Sequence, residues 1–321
     1  MAQTLLSVRG LRTVFQTQSG AVTAVNGVDF EVRSGQVLGI VGESGSGKSV
    51  TSLSIMRLIR HPGSVAAGTI DFDGRDLLAL TDTDMRRVRG AQIGMIFQDP
   101  MSSLNPYMRI SEQIMESTQL HLGLKRKAAA DHAVEVLKSV GIPGPGVRGD
   151  AYPHQISGGM RQRVMIAMAL ACKPKLLIAD EPTTALDVTI QAQILDLMRK
   201  LIKDNGTSMM LITHDLGVIA GMADHVLVMY AGRVFESAPA AELFAAPRNP
   251  YTRALLRSVP NPARRGEKLM QIAGVPPDIA RLPREGCPFA PRCPEAQPRC
   301  TNETPPVREM APGHRSFCWI E

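Results

Sequence analysis

The stretch Val37–Val50, VLGIVGESGSGKSV, decides the fold of this chain of 321 residues. Its first five residues are mostly apolar and partly β-branched, which predicts a buried parallel strand. The loop G-x-x-x-x-G-K-S follows at residues 42–49, and a helix-like run extends from Val50 to Ile59. This order predicts a phosphate-binding loop rather than an ordinary Gly/Ser turn, because glycines let backbone N–H groups approach an anion at the start of a helix.

Contacts with a nucleotide are predicted along the whole loop. Lys48 would reach the β- and γ-phosphates, and the hydroxyl group of Ser49 would bind Mg²⁺. The residues of this stretch that we expect to bind the nucleotide are Gly42, Ser44, Gly45, Gly47, Lys48, Ser49 and Val50.

The composition indicates a globular protein with a sizeable core. Hydrophobic residues make up 44% of the chain, and no apolar run approaches the roughly 18 residues of a membrane span. The N-terminus, MAQTLLSVRG, lacks the pattern of a signal peptide, so we expect the protein to be made and kept in the cytoplasm. The net charge of +6 is scattered along the chain and predicts no nucleic-acid partner.

Short runs of alternating apolar and polar residues surround the loop. Residues 5–41 predict antiparallel strands that lead into it, and Gly68–Gly74 predicts a strand that ends in an Asp-Gly turn. Phe15 ends the first strand, where its ring could stack on an adenine or simply belong to the core. A further predicted strand at residues 93–97 runs directly into Gln98.

Between about residues 100 and 172 the pattern becomes helical, with apolar residues at helical spacing in 110–121 and 128–140. This pattern predicts a helical insertion between two strands of an α/β sheet. Near its end, Ser157 is expected to cap a helix that begins with Gly158 and Gly159. Backbone donors at such a helix start could bind an anion.

Two carboxylates and a histidine follow predicted buried strands. Asp180 and Glu181 come after the apolar residues 176–179, and His214 comes after a strand at residues 208–213. A strand end beside a phosphate loop is where a Mg²⁺ ligand belongs, so Asp180 is the expected ligand, and Glu181 could polarise an attacking water. His214 emerges at the strand edge where α/β folds bind ligands.

In this order the motifs resemble those of the nucleotide-binding subunit of an ABC transporter over residues 5–240. GESGSGKS resembles Walker A, ISGGM the ABC signature, LLIADE Walker B, and Ala185-Leu186-Asp187 the D-loop. The resemblance implies an α/β P-loop NTPase fold with an antiparallel β subdomain, a helical subdomain and a small Cys-rich C-terminal extension. The signature reads SGGM instead of the usual SGGQ, but its serine and glycines remain, so we expect activity to be kept.

The resemblance also implies roles for single residues. Asp180 would hold Mg²⁺ through water, Glu181 would be the catalytic carboxylate, and His214 would be the switch histidine. Gln98 would link Mg²⁺ and the attacking water to the membrane partner. The segment Ser157–Gly159 would cap ATP held by a second subunit, which implies a dimer that closes on ATP and reopens after hydrolysis.

Four segments narrow the resemblance to importers of dipeptides, oligopeptides or nickel: FQDPMSSLNP at 97–106, YPHQ at 152–155, DVTIQAQ at 187–193 and PYTRALL at 250–256. Such a member would power uptake of di- or oligopeptides at the cytoplasmic face of the bacterial inner membrane. Its partners would be a second, homologous ATPase in a heterodimer, two transmembrane permease subunits and, through them, a periplasmic or extracellular solute-binding protein. Import of nickel or another small solute is the alternative within this branch.

We expect a nucleotide-binding domain at residues 1–240, with its helical subdomain at about 100–172, and a C-terminal extension at 241–321. The cysteines of the extension form a second possible site. Cys172 follows an apolar helix and is expected to be an inert core thiol. The other cysteines lie in the Pro/Arg-rich tail, namely Cys287, Cys293, Cys300 and Cys318.

Three interpretations of these four cysteines compete. A reducing cytoplasm disfavours disulfides, and a zinc site usually shows C-x₂-C pairs, which the tail lacks. A [4Fe–4S] cluster needs four thiolates and tolerates irregular spacing. The resemblance also favours the cluster, with Zn²⁺ or unligated thiols as alternatives. Such a group could hold the tail folded or give it a redox or regulatory role.

Two other classes of function compete with ATP-driven import. A soluble ABC ATPase that acts on ribosomes or DNA usually has two nucleotide domains or a long coiled-coil insertion, and this sequence shows neither. A nucleotide-binding regulator without turnover would lack Glu181 or His214, and both are present. The sequence therefore favours an import ATPase that uses ATP and Mg²⁺.

Overall fold

The computed structural model describes residues 3–18, 20–99, 103–184, 186–259, 271–282 and 285–320. Residue 185, in the predicted D-loop, and residues 100–102, in one importer-like segment, lie outside these ranges. The β-strands of the described residues are β1 Thr4–Thr17, β2 Gly20–Arg33, β3 Val37–Val41, β4 Gly63–Phe72, β5 Arg75–Asp76, β6 Ile93–Ile96, β7 Leu176–Asp180, β8 Ser208–Ile212, β9 His225–Tyr230, β10 Arg233–Pro239, β11 Val307–Ala311 and β12 His314–Phe317.

Helices of different lengths connect many of these strands, and several helices follow one another between β6 and β7. The α-helices of the described residues span Lys48–Ile55, Asp82–Val88, Ile110–Leu122, Arg126–Ser139, Pro145–Gly149, Gly158–Leu170, Val188–Asn205, Leu216–Met222, Ala240–Ala245, Pro250–Ser258 and Pro298–Asn302. None of the helices in the described ranges is long and apolar enough to cross a membrane. The chain forms two compact units, the first of residues 1–3, 33–35 and 79–211, the second of residues 4–32, 36–78 and 212–321.

The second unit contains an antiparallel sheet in the order β2-β1-β4-β5. Strands β1 and β4 pair from Leu6 opposite Phe72 to Phe15 opposite Gly63. Buried and more exposed side chains largely alternate along β1, for example at Leu6, Ser7 and Val8, as expected for a sheet that covers a core on one side. This sheet confirms the antiparallel strands predicted ahead of the phosphate loop.

A second sheet of the same unit runs in the order β11-β12-β10-β9-β3. Strand β3 is buried along its whole length and pairs parallel with β9, with Val41 opposite Val228. Strand β12 extends the sheet beyond β10, where Ser316 lies opposite Glu236. Residues from the C-terminal end of the chain therefore build part of the sheet from which the phosphate loop emerges.

The first unit contains the parallel strands β6 and β7, with Ile93 opposite Leu176, and β8 follows β7 in the sheet order. Both β7 and β8 are buried throughout, which is typical of strands covered on both faces. Between β6 and β7 in the chain, the helices Ile110–Leu122 and Arg126–Ser139 pack against each other. This confirms the predicted helical insertion.

The ends of several elements differ from the sequence-based expectation. The helix after the phosphate loop ends at Ile55 instead of Ile59, because Arg57 takes a left-handed conformation with φ 50° that a right-handed helix cannot continue. The predicted Asp-Gly turn is confirmed, with Asp73 at φ 53° and Gly74 at φ 77°. Positive φ at two successive residues is typical of a tight hairpin turn.

Candidate active site

The phosphate loop of the second unit depends on glycine for its shape. Gly42, Gly45 and Gly47 have φ angles of 153°, 76° and 98°, which L-residues rarely adopt. A Cβ atom at Gly42 would lie 2.1 Å from the carbonyl oxygen of Met229, and one at Gly47 would lie 2.7 Å from that of Ala24. At two of the three positions the neighbouring backbone therefore excludes any side chain.

The ammonium group of Lys48 lies within the curve of this loop. Its Nζ atom donates hydrogen bonds to the carbonyl oxygens of Gly42 and Glu43, at 2.7 and 3.0 Å, and contacts the hydroxyl of Ser46 at 3.4 Å. Only 6% of Lys48 is exposed. Because the loop carbonyls hold this cation in place, it is ordered at the position where the sequence predicts phosphate binding.

The remaining loop residues line an open surface. Ser44 and Gly45 are exposed, while Ser49 and Val50 are half-buried in the first turn of the helix Lys48–Ile55. A cavity beside the loop has a volume of about 60 Å³, far below the roughly 300–1,000 Å³ of typical ligand pockets. This cavity is too small to enclose a nucleotide, so a nucleotide on the loop would not lie inside it.

In the first unit, two predicted catalytic side chains meet. The Nε2 atom of Gln98 donates a hydrogen bond to Oε2 of Glu181 at 3.0 Å, and the hydroxyl of Thr184 donates to the same oxygen at 2.8 Å. Glu181 has a φ of 48°, an uncommon value for a residue with a side chain and one often found at functional sites. Asp180 ends β7 and is only 4% exposed. Asp180, the predicted Mg²⁺ ligand, is therefore almost completely buried, whereas the carboxylate of Glu181, predicted to polarise water, accepts hydrogen bonds from two side chains.

The signature segment lies at the start of the helix Gly158–Leu170. The hydroxyl of Ser157 accepts a hydrogen bond from the backbone N–H of Met160 at 3.3 Å, which confirms the predicted cap. Ser157 and Gly158 are exposed, and a Cβ atom at Gly158 would meet no atom within 4 Å. The N-terminus of this helix of 13 residues is therefore open to an anion from outside the chain.

Family models and known proteins match the chain along its length. The model described as "ABC transporter" matches residues 25–184, and the model described as "Oligopeptide/dipeptide transporter, C-terminal region" matches residues 235–300. The chain is 51% identical to the oligopeptide transport ATP-binding protein OppD of Salmonella typhimurium, over 99% of this chain and 94% of that protein. It is 50% identical to the dipeptide transport ATP-binding protein DppD of Escherichia coli, over 98% and 96%.

The chain belongs to the ATP-binding proteins of ABC peptide transporters. A solved structure of similar fold is the dimeric ATP-binding cassette MJ0796 in a post-hydrolysis state with ADP and Pi. It matches with a TM-score of 0.67 and 26% identity, over 74% of this chain and 99% of that one. These similarities confirm the predicted P-loop fold and the assignment of the chain as an ABC-type ATPase.

Other predicted site residues of this ABC ATPase lie in the second unit. His214 is exposed directly after β8, and the next residue, Asp215, caps the helix Leu216–Met222. Phe15 is half-buried and faces Gly63, where a Cβ atom would lie 2.5 Å from the Phe15 ring. The glycine therefore makes room for the ring. Stacking of Phe15 on adenine stays a prediction.

Sequence reasoning missed a contact between the phosphate loop and the C-terminal extension. Two nitrogen atoms of the Arg292 guanidinium group contact the two carboxylate oxygens of Glu43, at 2.6 and 2.9 Å. The hydroxyl of Tyr251 accepts a hydrogen bond from the backbone N–H of Glu43 at 3.0 Å. The partners are separated by 249 and 208 residues, so no local pattern in the sequence could indicate the pairing.

The four cysteines of the extension are free thiols, of which Cys300 is buried and the others are half-buried. Burial, followed by the nearby thiols of Cys300, Cys318 and Cys293, raises the pKa of Cys287 to about 11. Backbone N–H groups point at the sulfur atoms, for example from Gln297 to Cys300 and from Ile320 to Cys318, both at 3.4 Å. In the described parts of the chain, however, no three His, Cys, Asp or Glu side chains are arranged to hold a metal ion.

Proposed function

We propose that this ABC-type ATPase powers the uptake of di- or oligopeptides across a bacterial inner membrane. The observation that carries the hydrolytic role is the hydrogen bond between Gln98 and Glu181, which orients the carboxylate predicted to polarise water. The peptide substrate is supported by relatives that are about half identical over both the nucleotide-binding region and the C-terminal region. Import of nickel or another small solute is the alternative.

The proposed reaction is in-line attack by water on the γ-phosphorus of ATP, which forms a new P–O bond while the bond to the β–γ bridging oxygen breaks and ADP leaves. Glu181 would accept the proton of that water, and the Lys48 ammonium would offset negative charge on the β- and γ-phosphates. When bound, Mg²⁺ would supply further neutralisation of this charge. The hydroxyl of Ser49, the amide oxygen of Gln98 and the carboxylate of Asp180 are the hard oxygen donors that Mg²⁺ prefers, so the donor set fits the ion. His214 would act as the switch histidine.

Hydrolysis is proposed to require a second ATPase subunit. The signature residues Ser157, Gly158 and Gly159 would close over ATP that is bound to the partner's loop. Two observations support this arrangement: the exposed start of the helix Gly158–Leu170, and the dimeric state of the related cassette. We propose a homologous ATPase rather than a second copy of this chain as the partner.

The helical insertion is the proposed contact with two transmembrane permease subunits, which would in turn receive solute from a periplasmic or extracellular binding protein. A groove of about 600 Å³ on the first unit supports this proposal. Its lining combines flexible apolar side chains, which adapt to a partner helix, with charges of both signs: Met108, Glu112, Met115, Glu116, Gln119, Leu120 and Arg126. The chain would then sit peripherally at the cytoplasmic face of the membrane.

We propose two parts of the chain, a nucleotide-binding domain at residues 1–240 and an extension at 241–321. The extension would hold a [4Fe–4S] cluster on Cys287, Cys293, Cys300 and Cys318. The influence of the neighbouring thiols on Cys287 and the backbone N–H groups directed at sulfur support this proposal, although the described side chains are not arranged as a metal site. Brown protein with absorbance near 400 nm after anaerobic purification is expected; colourless protein with one Zn²⁺ per chain would contradict the cluster.

Transport in a strain that lacks this gene tests the function directly. Uptake of dipeptides, tripeptides, longer peptides and nickel would be measured with and without the gene on a plasmid. Peptide uptake that depends on the gene is expected. Restored uptake of nickel alone would favour the alternative, and co-sedimentation with ribosomes without any uptake defect would contradict an import function.

A further inference from the structure

The ion pair between Glu43 and Arg292 has two short contacts and is largely shielded from solvent. The two terminal guanidinium nitrogens, Nη1 and Nη2, donate to the carboxylate at 2.6 and 2.9 Å, in the two-pronged geometry that makes Arg–carboxylate pairs strong. The Arg292 side chain is 6% exposed and that of Glu43 is 21% exposed. At this depth, removal of one partner leaves the other as an uncompensated charge, which costs more than the loss of a surface pair.

Arg292 is itself held in place by the extension and by β9. Its Nε atom donates to the carbonyl oxygen of Ala273 at 2.9 Å, and Nη1 contacts the hydroxyl of Tyr230 at 3.2 Å. The guanidinium carbon also lies 5.9 Å from the ring centre of Phe289 and 5.8 Å from that of Tyr230, at cation–π distance. These contacts hold the guanidinium group in one orientation.

Glu43 connects Arg292 to the rest of the phosphate loop. Its N–H group donates to the buried Tyr251, and its carbonyl oxygen accepts hydrogen bonds from Nζ of Lys48 at 3.0 Å and from the N–H of Ser46 at 3.2 Å. The side chain and both backbone groups of one loop residue are therefore engaged. The extension contributes two of these partners, Arg292 and Tyr251.

We propose that Arg292 is a positioning residue for ATP binding. It acts through Glu43, because it fixes the start of the phosphate loop and neutralises the negative charge of the Glu43 carboxylate. Two physical effects support this role. A loop that is already ordered loses less conformational entropy when the nucleotide binds. In addition, an unpaired Glu43 carboxylate would repel the triphosphate from within its own binding loop. The proposal rests on ATP binding by this loop.

The test measures the Kd of a fluorescent ATP analogue for the purified full chain with Mg²⁺. Arg292→Met is expected to raise this Kd on the order of tenfold. Glu43→Gln should raise it less, because it leaves no unpaired carboxylate. The double variant should bind as well as Glu43→Gln, since removing the carboxylate relieves the repulsion, and Arg292→Lys should recover part of the loss.

A matched control breaks another ion pair of the extension. Arg253 contacts both carboxylate oxygens of Glu295 at 2.7 Å, and this pair is more exposed than that of Glu43 and Arg292. Within the described parts of the chain, neither Arg253 nor Glu295 is hydrogen-bonded to the phosphate loop. Arg253→Gln is expected to leave the Kd unchanged. Circular dichroism and the Tm of each variant, recorded alongside, separate loss of folding from loss of binding.

Three outcomes would overturn the proposal. An unchanged Kd in folded Arg292→Met would do so, as would a lowered Tm with an unchanged Kd, which indicates a structural role only. If Arg292→Met does not fold, a double variant that binds worse than Glu43→Gln would contradict the charge balance. Failure of the wild-type chain to bind the analogue would instead contradict the proposed function.

Discussion

The side-chain amide of Gln98 donates a 3.0 Å hydrogen bond to the carboxylate of Glu181, 83 residues further along the chain. Gln98 follows β6 and Glu181 follows β7, and these strands are parallel neighbours, so their ends bring the two side chains together. Thr184 donates to the same carboxylate oxygen. This hydrogen bond would connect the proposed permease contact of Gln98 to the carboxylate that is proposed to polarise water.

Glu181→Gln is expected to lower ATP turnover by about 10²–10⁴-fold, because an amide cannot accept the proton of the attacking water. ATP binding should stay close to wild type, since the amide has the size of the carboxylate and the phosphate loop is unchanged. Phosphate release and analogue binding would be measured on the chain with its partner ATPase. Asp196→Asn, which changes an exposed carboxylate paired with Arg199, is the control. Full turnover in Glu181→Gln would refute the assignment.

The glycines of the phosphate loop should differ in their tolerance of alanine. Gly47→Ala forces a Cβ atom to 2.7 Å from the Ala24 carbonyl oxygen at a φ of 98°, and should lower the free energy of unfolding by more than about 3 kcal/mol. Gly45 has a φ of 76° but no atom within 4 Å of the added Cβ, so its alanine variant should lose only about 1–2 kcal/mol. Urea unfolding measures both. Equal losses would show that steric contact with Ala24 is not what requires glycine.

Gly158 lies in the signature segment, which is proposed to cap ATP on the partner's phosphate loop. In the assembled pair of ATPases, Gly158→Asp is expected to abolish ATP turnover at that capped site. A Cβ atom at Gly158 would meet no atom within 4 Å, so the fold should be kept, but the added carboxylate would repel a triphosphate at the helix start. ATP binding by the isolated chain should not change. Gly146→Asp introduces the same side chain at another open glycine and should leave turnover intact. Normal turnover in Gly158→Asp would contradict the capping role.

A charge in the groove of the helical insertion should weaken the contact with the permease. Leu120 lines this groove and is 73% exposed, so Leu120→Asp should leave the fold intact while reducing co-purification with the permease subunits about tenfold. Val147 is 81% exposed but does not line the groove, and Val147→Asp is the matched control. Equal recovery of the permease with both variants would place the interface elsewhere.

Cys172 should react slowly with alkylating reagents in the folded protein. Burial raises the pKa of its thiol, so at pH 8 less of it is present as the reactive thiolate than in an unfolded chain. The Sγ atom also donates to the carbonyl oxygen of Ser117 at 3.7 Å. Mass spectrometry of peptides after iodoacetamide treatment, with and without denaturant, gives the two rates, and the folded rate should rise as the pH increases. Equal rates would show that the thiol is accessible.

Much of the nucleotide site could be predicted because its parts are local. The strand-loop-helix order around Lys48, the capping of a helix by Ser157 and the acidic end of β7 each depend on residues that are adjacent in the sequence. The meeting of Gln98 and Glu181 was not predicted, because it depends on β6 and β7 being parallel neighbours that end at the same sheet edge. The predicted end of the first helix was wrong by four residues. Arg57 adopts a left-handed conformation that stops the helix, and an arginine in the sequence gives no sign of such a conformation.

The sequence by itself determined the phosphate loop, its lysine and the family to which the chain belongs, and it singled out Glu181 as the carboxylate proposed to polarise water. The tertiary structure alone decided that the C-terminal extension completes the surroundings of that loop. Arg292 and Tyr251 meet Glu43 because the C-terminal strands pack onto the same sheet as β3, which brings distant residues to one edge. An ion pair has no periodicity and no required spacing, so only folding reveals it.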